Sequence, residues 1–237
     1  VHAARKIAFL HCDYLQCGAN CEENNALYRA FDRIAACSDG CRRSFVQAMP
    51  ELAERCVAAP NFHRYGKIRE LSQQMPYCYP AGALHVVMVG RLAHEKGIDR
   101  ALRALACVRG QGIAAMLHLV GSGPKEQELR ALAQSLSLAD AVIFHGSQRN
   151  PYRFMRNADL LLMTSFHEAA PMVIDEACCL GLPVLSTATT STQEMILRRG
   201  CGWVCGQSQD SINSALEEIL RGRSAREQVR SQIQGMD

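Results

Sequence analysis

No stretch of this 237-residue chain approaches the roughly 20 consecutive apolar residues of a membrane-spanning helix; the apolar runs at 83–90 and 158–165 fall far short. The beginning lacks the basic, apolar and small-residue regions of a secretory signal, so the expectation is a soluble protein that is not secreted. Val1 makes an abrupt start and reads as a cut site in a longer polypeptide or a literally translated non-AUG start. Charge of one sign is in little excess: 26 Lys and Arg against 23 Asp and Glu give a formal net charge of +3, with both signs scattered. The basic footprint of a nucleic-acid binder is therefore missing, and no polyanionic partner is demanded. Repeats with a period of about 20 to 50 residues and low-complexity tracts are absent too, which removes solenoids and arrays. What is present is 48% hydrophobic, 21% charged and 6% aromatic residues, a globular composition that excludes disorder and collagen-like repeats. The length suits one large or two modest domains.

Twelve cysteines are many, yet no CxxC occurs among them. The spacings Cys12-x4-Cys17-x3-Cys21, Cys37-x3-Cys41 and Cys201-x3-Cys205 lack the order of a structural zinc site, so no metal is expected. Cys56, Cys78, Cys107, Cys178 and Cys179 are scattered through apolar runs, which suits reduced, small, hydrophobic core residues.

From Leu84 onward, short apolar runs alternate with longer amphipathic ones, the rhythm of βαβ units feeding a parallel sheet. Strands are expected at 84–89, 115–120, 141–144, 160–164, 183–186 and 203–205, with helices at 98–108, 125–138, 152–157, 172–180, 193–199 and 211–220. That is one doubly wound domain covered on both faces. Before Leu84 the count is smaller: strands at 6–10, 33–36 and 55–59 with helices at 24–31 and 40–49, half a domain whose sheet would leave apolar faces uncovered. Residues 61–83, with Pro76, Pro80 and Gly82, read as a connection, which sets a first region at 1–80, a second at 81–222 and a C-terminal helix within 223–237, centred on Ser224–Met236.

Ligands of open parallel sheets bind at the carboxyl ends of the strands, so the loops after the strands carry the chemistry. Gly90-Arg91-Leu92-Ala93-His94-Glu95-Lys96-Gly97 places two cations five residues apart where a helix begins, either a phosphate site or two solvated basic side chains. Gly121-Ser122-Gly123-Pro124 would let backbone N–H groups approach an anion, or is simply a tight turn. It is no dinucleotide fingerprint, because Glu126 stands where the third glycine belongs. The loop Gly90-Arg91-Leu92 likewise counts against a nicotinamide dehydrogenase. Ser165 to Ala177 is the most informative stretch: Glu168 falls in a loop, Pro171 opens a helix, and Glu176 sits one turn inside it among apolar residues. Two carboxylates eight positions apart would face one crevice, where sugar hydroxyls are good partners for an ionised acid.

Arg91 and Lys96, the Gly121-Ser122-Gly123 loop, Glu168-x7-Glu176 with Pro171 between, and Gly181-Leu182-Pro183-Val184 together resemble the retaining GT-B glycosyltransferases of the E-x7-E family, the family 4-like group 1 enzymes. Phe9-Leu10-His11, Arg33 to Ser38 and Pro60-Asn61 are similar to the second half of that family's acceptor domain. The resemblance implies an α/β fold of GT-B type, one complete Rossmann-like lobe preceded by the second half of another, in a chain truncated at its N-terminus.

Residue by residue, the resemblance implies that Arg91 and Lys96 hold the donor diphosphate and that Gly121 and Gly123 line it. Glu176 would bind the ribose hydroxyls and Glu168 the donor sugar, with Ala169, Ala170, Pro171 and Met172 touching the sugar through their backbone. Gly146 and Ser147 would edge the base, and His11 would sit near the anomeric centre, although beside Cys12 and Asp13 it also reads as a core or capping histidine. Ala169 stands where the family often has Gly, which bears on the sugar pocket. Thr190-Ser191 stands where it has paired Gly, which bears on the phosphate loop. The implied activity is retaining transfer of a hexosyl group from a nucleotide sugar, UDP-sugar first, to a saccharide or lipid-linked acceptor. No cofactor or metal is implied; polysaccharide biosynthesis is, in the cytoplasm, with peripheral contact at the inner membrane face. A donor-binding remnant without transferase activity and a GT-B epimerase or phosphorylase are the competing readings.

Overall fold

The computed structural model describes residues 4–234. Val1, and Met236 at the end of the expected C-terminal helix, lie outside the described residues. The chain parts into two compact units: unit 1 holds the residues up to Phe62 together with His167–Met172 and Thr189–Thr192, and unit 2 holds His63–Phe166, Val173–Ala188 and the residues from Gln193 on. The sequence pattern sets its division near residue 80 and counts the C-terminal helix apart; the contacts divide after Phe62 and take that helix into unit 2.

Unit 1 contains a three-stranded parallel sheet, β1 (Ile7–Leu10), β2 (Arg33–Ala36) and β3 (Cys56–Ala58), in sequential order. Its helices are α1 (Glu22–Arg29) and α2 (Asp39–Ala48), with a 3-10 segment at Pro50–Arg55. Ser38 caps α2 by accepting from the Cys41 amide at 3.1 Å, satisfying one of the donors that a helix start leaves open. One sheet face carries Ala8, Leu10, Ile34 and Ala36 into a core with Tyr14, Phe45 and Met49. Tyr14, Tyr28 and Phe45 pack edge to face there, with centroids 5.0–5.4 Å apart. The opposite face presents Ile7 and Phe9, which are 55% and 64% exposed, and Val57 of β3.

Unit 2 contains a six-stranded parallel sheet: β4 (Leu84–Val89), β5 (Ala115–Val120), β6 (Val142–Gly146), β7 (Leu160–Met163), β8 (Val184–Thr187) and β9 (Gly202–Cys205). The spatial order β6-β5-β4-β7-β8-β9 reverses between β4 and β7, the doubly wound order that creates a switch point. The helices are α3 (Tyr65–Gln73), α4 (Ile98–Gly110), α5 (Glu126–Ser135), α6 (Tyr152–Met155), α7 (Met172–Cys179), α8 (Thr192–Arg199), α9 (Gln209–Arg221) and α10 (Arg223–Gln234). Both faces are buried, and strand alternation divides the side chains: Val86 and Met88 join Leu102, Leu105, Leu216 and Ile219 on one face. Val87 joins Leu161, Ile174 and Ile196 on the other. Near-continuous apolar strands are what a two-sided core selects.

Two expectations change. The connection at 61–83 contains α3, hidden from periodicity because Ile68 is its one buried apolar residue. Cys78 is exposed and not a core residue, because the segment is extended there and turns Tyr77 and Tyr79 inward on either side of it. No helix among the described residues is long and apolar enough to cross a membrane.

Candidate functional site

At the switch point of unit 2, the loops after β4, β5, β6 and β7 are tied to one another by their backbones. Gly121 N–H donates to the Gly146 carbonyl at 2.9 Å, and Leu92 N–H to Ser122 at 3.0 Å. A Cβ on Gly121 would lie 1.8 Å from the Gly90 oxygen, and one on Gly123 2.4 Å from the Leu92 oxygen. These two glycines therefore let the first two loops stack closely, and the Gly121 amide is already engaged. The loop after β7 joins them: Phe166 N–H donates to Glu95 at 2.9 Å, and Thr164 Oγ1 to Gly97 at 2.8 Å. Gly97 adopts φ +57° at the head of α4, where a Cβ would lie 2.2 Å from the Thr164 oxygen.

Arg91 is exposed and ion-paired with Glu95, four residues on in the same loop. Backbone hydrogen bonding, helped by Arg91, holds the Glu95 carboxyl below its ordinary range against the opposing effect of burial. Lys96 is half-buried, and its Cε would lie 3.9 Å from a Cβ on Gly90, so its stem runs over that glycine. Glu176, on the first turns of α7, accepts a hydrogen bond from the Tyr152 hydroxyl at 3.0 Å. Burial raises the Glu176 carboxyl above its ordinary range, with Tyr152 and His63 opposing. Burial and the neighbouring carboxylate push Tyr152 up to about 12, keeping it a hydrogen-bond donor. Gly146 ends β6 at φ +67°, followed by Ser147.

Unit 1 holds the other expected residues. His11 is exposed just after β1, stacked 6.1 Å from Phe9. Glu168, Ala169 and Ala170 are half-buried, Pro171 is buried and Met172 is exposed. The hydroxyls of Thr190 and Ser191 have a structural use here. The Ser191 and Ser38 hydroxyls both donate to the Ala169 carbonyl, the latter at 2.8 Å, while Thr190 donates to Asp13. Asp13 also accepts from the Ser44 hydroxyl and from the amides of Leu15 and Gln16. Burial opposes its ionisation, and these donors outweigh it, leaving the carboxyl below its ordinary range. A Cβ on Gly40 would lie 2.5 Å from the Thr190 oxygen, so the start of α2 admits only glycine against this loop.

Several polar residues escaped the sequence reading. Arg100 is buried in α4, donates to Thr164 and Gln207 carbonyls, and lies 3.9 Å over the Phe166 ring. Its signal is one charge on an otherwise apolar helix flank. His85, His118 and His145 form a chain with 3.0 Å nitrogen contacts from β4 across β5 to β6, and burial drives His118 down to about 3. Each histidine interrupts an apolar strand, which is a visible signal for a buried polar pair but not for its partners.

The family model for glycosyl transferases group 1 matches residues 80–236. The lipopolysaccharide glucosyltransferase WaaG of Escherichia coli K12 is 34% identical over 137 residues, covering 57% of this chain and 37% of the relative. The chain spans little more than a third of the length of the curated relatives it matches. Among solved structures, a WaaG crystal structure matches with TM-score 0.77 at 22% identity, over 98% of this chain and 73% of the other. Anabaena HepE, solved with UDP and glucose, matches with TM-score 0.80 at 22% identity, over 97% and 66%. The fold is that of GT-B glycosyltransferases, and with its family model covering well over half of the residues the chain belongs to the glycosyl transferases group 1 family.

Proposed function

We propose that this chain binds a nucleoside diphosphate sugar, a UDP-sugar, and takes part in transferring its hexosyl group, with retention, to a saccharide or lipid-linked acceptor in polysaccharide assembly. The carrying observation is the half-buried acid Glu176 with Tyr152 at the switch-point end of a sheet whose first loop bears Arg91 and Lys96. Glu176 uses one oxygen toward Tyr152; in this reading its carboxylate receives the ribose hydroxyls. Arg91 exchanges its exposed partner Glu95 for the diphosphate, and with Lys96 neutralises the charge that grows as the nucleotide departs. Gly121, Gly123, Gly146 and Ser147 shape the nucleotide's surroundings. Glu168 takes donor-sugar hydroxyls, the 169–172 backbone holds the sugar, and His11 stands near its anomeric carbon.

In the transfer, the bond from the anomeric carbon to the diphosphate oxygen breaks and the bond to the acceptor oxygen forms on the same face. The acceptor proton leaves to the departing phosphate oxygen. Arg91 and Lys96 supply positive charge without requiring a metal. The reading places the protein in the cytoplasm with peripheral contact at the inner membrane face, supported by the likeness to lipopolysaccharide enzymes such as WaaG.

Calorimetric titration with UDP, GDP and ADP tests this. Saturable binding of UDP, weakened at least about tenfold in Glu176→Ala and in Arg91→Ala, is expected. Equal binding in both variants, or none by the parent chain, would sink the assignment.

A further inference from the structure

Glu176 has a neighbour in α7 that the transfer chemistry leaves unused. Asp175 is buried, and its two oxygens meet basic groups from two other elements. His63 Nε2, from the segment before α3, lies 2.9 Å from Oδ2, and Arg199 Nε, from the end of α8, lies 2.5 Å from Oδ1. Tyr65 closes the circuit. Its ring stacks on His63 with centroids 5.5 Å apart and planes 13° from parallel, and its hydroxyl accepts from Arg199 at 3.2 Å. All four residues belong to unit 2, as do Tyr152 and Glu176. The His63 and Asp175 side chains are only 3% and 11% exposed, so the pair is held almost out of water.

Stability alone is a poor reason for burying such a group. Withdrawing charges from water costs about as much as their attraction returns, and apolar residues of similar volume often serve a fold equally well. What the trio does fix is the setting of α7. The apolar side of this eight-residue helix, Ile174 and Ala177, packs into a hydrophobic cluster, and hydrophobic contact is non-directional. Direction comes from polar anchors. Successive helix residues project about 100° apart, so Asp175 and Glu176 leave α7 toward different neighbours. Asp175 is held by His63 and by α8, while Glu176 takes the Tyr152 hydroxyl of α6 at 3.0 Å. Without the first anchor the helix can turn about the second, and a displacement of about 1 Å is enough to spoil a hydrogen-bonding site. His63 also bears on Glu176 directly: burial raises that carboxyl, and His63 opposes it together with Tyr152.

We propose that His63, Asp175 and Arg199 are positioning residues for Glu176, setting its carboxylate for the ribose hydroxyls of the donor; this rests on the reading in which Glu176 receives those hydroxyls. The full chain is titrated calorimetrically with UDP and with 2′-deoxy-UDP, whose ratio of affinities isolates a ribose contact. The parent is expected to prefer UDP by at least about tenfold, the worth of a hydrogen bond to a charged acceptor, and Glu176→Ala to show no preference. His63→Gln leaves Asp175 paired with Arg199, and Asp175→Asn keeps the shape without the charge. Each is expected to cut the preference at least about threefold while leaving the affinity for 2′-deoxy-UDP unchanged. A merely structural role would weaken both nucleotides alike, and that result overturns the proposal, as does thermal unfolding of both variants under the titration conditions. A preference lost in Glu176→Ala but intact in His63→Gln and Asp175→Asn overturns the positioning role alone. Absence of a preference in the parent, or its persistence in Glu176→Ala, overturns the ribose reading and the positioning role with it.

Discussion

The two parallel sheets are written in the same alphabet of short apolar strands, yet they end in different conditions. The six-stranded sheet of unit 2 has a hydrophobic cluster on each face, whereas the three-stranded sheet of unit 1 has one cluster and leaves Ile7, Phe9 and Val57 exposed on the other side. Apolar strand residues alone therefore do not specify burial; the helices packed on each face decide it. Unit 1 offsets its small core with polar bonding. Asp13, Ser38, Ser44, Thr190 and Ser191 bind loop to helix where unit 2 relies on Leu, Val and Ile.

The largest test of this contrast is a cavity in each core. Phe45→Ala removes a fully buried ring that touches both Tyr14 and Tyr28, at an expected cost of about 3–5 kcal/mol. Leu105→Ala in α4 costs about 2–5 kcal/mol in a much larger cluster. Amide hydrogen exchange should show Phe45→Ala releasing protection throughout unit 1 while the strands of unit 2 stay protected. Equal loss in both would mean that the contrast between a small and a large core has no energetic meaning.

A second pair compares sheet faces. Val87→Thr puts a hydroxyl into the buried centre of β4 and is expected to destabilise by about 1–3 kcal/mol. Phe9→Thr, on the exposed face of β1, is expected to stay within about 0.5 kcal/mol by urea titration. Its larger effect belongs to light scattering, where self-association should fall as the apolar patch shrinks. A Phe9→Thr chain as unstable as Val87→Thr would show that this face is buried after all.

How much of this was legible differs by kind of feature. β2, β4 and β5 begin and end where the apolar runs do, because parallel strands buried in a core are spelled by the run itself. α3 was not, since only Ile68 among its apolar residues is buried and the prolines after it pull the reading toward a loop. The loop residues Gly90 to Lys96 were visible from local chemistry alone. Tyr152 beside Glu176, Arg100 over Phe166, and His63 with Arg199 on Asp175 were not, since each contact joins residues at least 24 positions apart and no local spacing encodes it. Thr190 and Ser191 stand out in the sequence as hydroxyl residues, but their bonds to Asp13 and Ala169 join positions at least 22 apart and are encoded only by the fold.

Acid should act on buried Asp13 and half-buried Glu176 with opposite signs. Asp13 has a folded pKa below its unfolded value of 3.8, so its contribution to unit 1 is fully present above that value and is lost as the pH falls through the folded one. Glu176 has a folded pKa above its unfolded 4.5, so the cost of holding its charge in unit 2 is present above the folded pKa and is relieved on acidification. Exchange measured from pH 6 down to about 3 should therefore find protection near Asp13 falling relative to that near Glu176. Asp13→Asn should flatten the first trend and Glu176→Gln the second. Parallel falls at both sites would contradict the assignment of burial as the dominant influence on Glu176.

The smallest expected effect concerns an exposed charge. Where Asp13 is enclosed by four donors, the Arg91–Glu95 pair of unit 2 has side chains 67% and 37% exposed, and such pairs contribute about 0–1 kcal/mol. Glu95→Gln should leave the urea midpoint nearly unchanged. Its consequence is functional: Arg91 no longer has an internal anion to exchange for the diphosphate, so UDP affinity should rise, by at most about fivefold, and the gain should shrink as salt screens the pair. Weaker UDP binding by Glu95→Gln would mean that Glu95 orients Arg91 for its ligand and does not compete for it. That outcome would give this exposed pair the positioning role that buried donors play around Asp13.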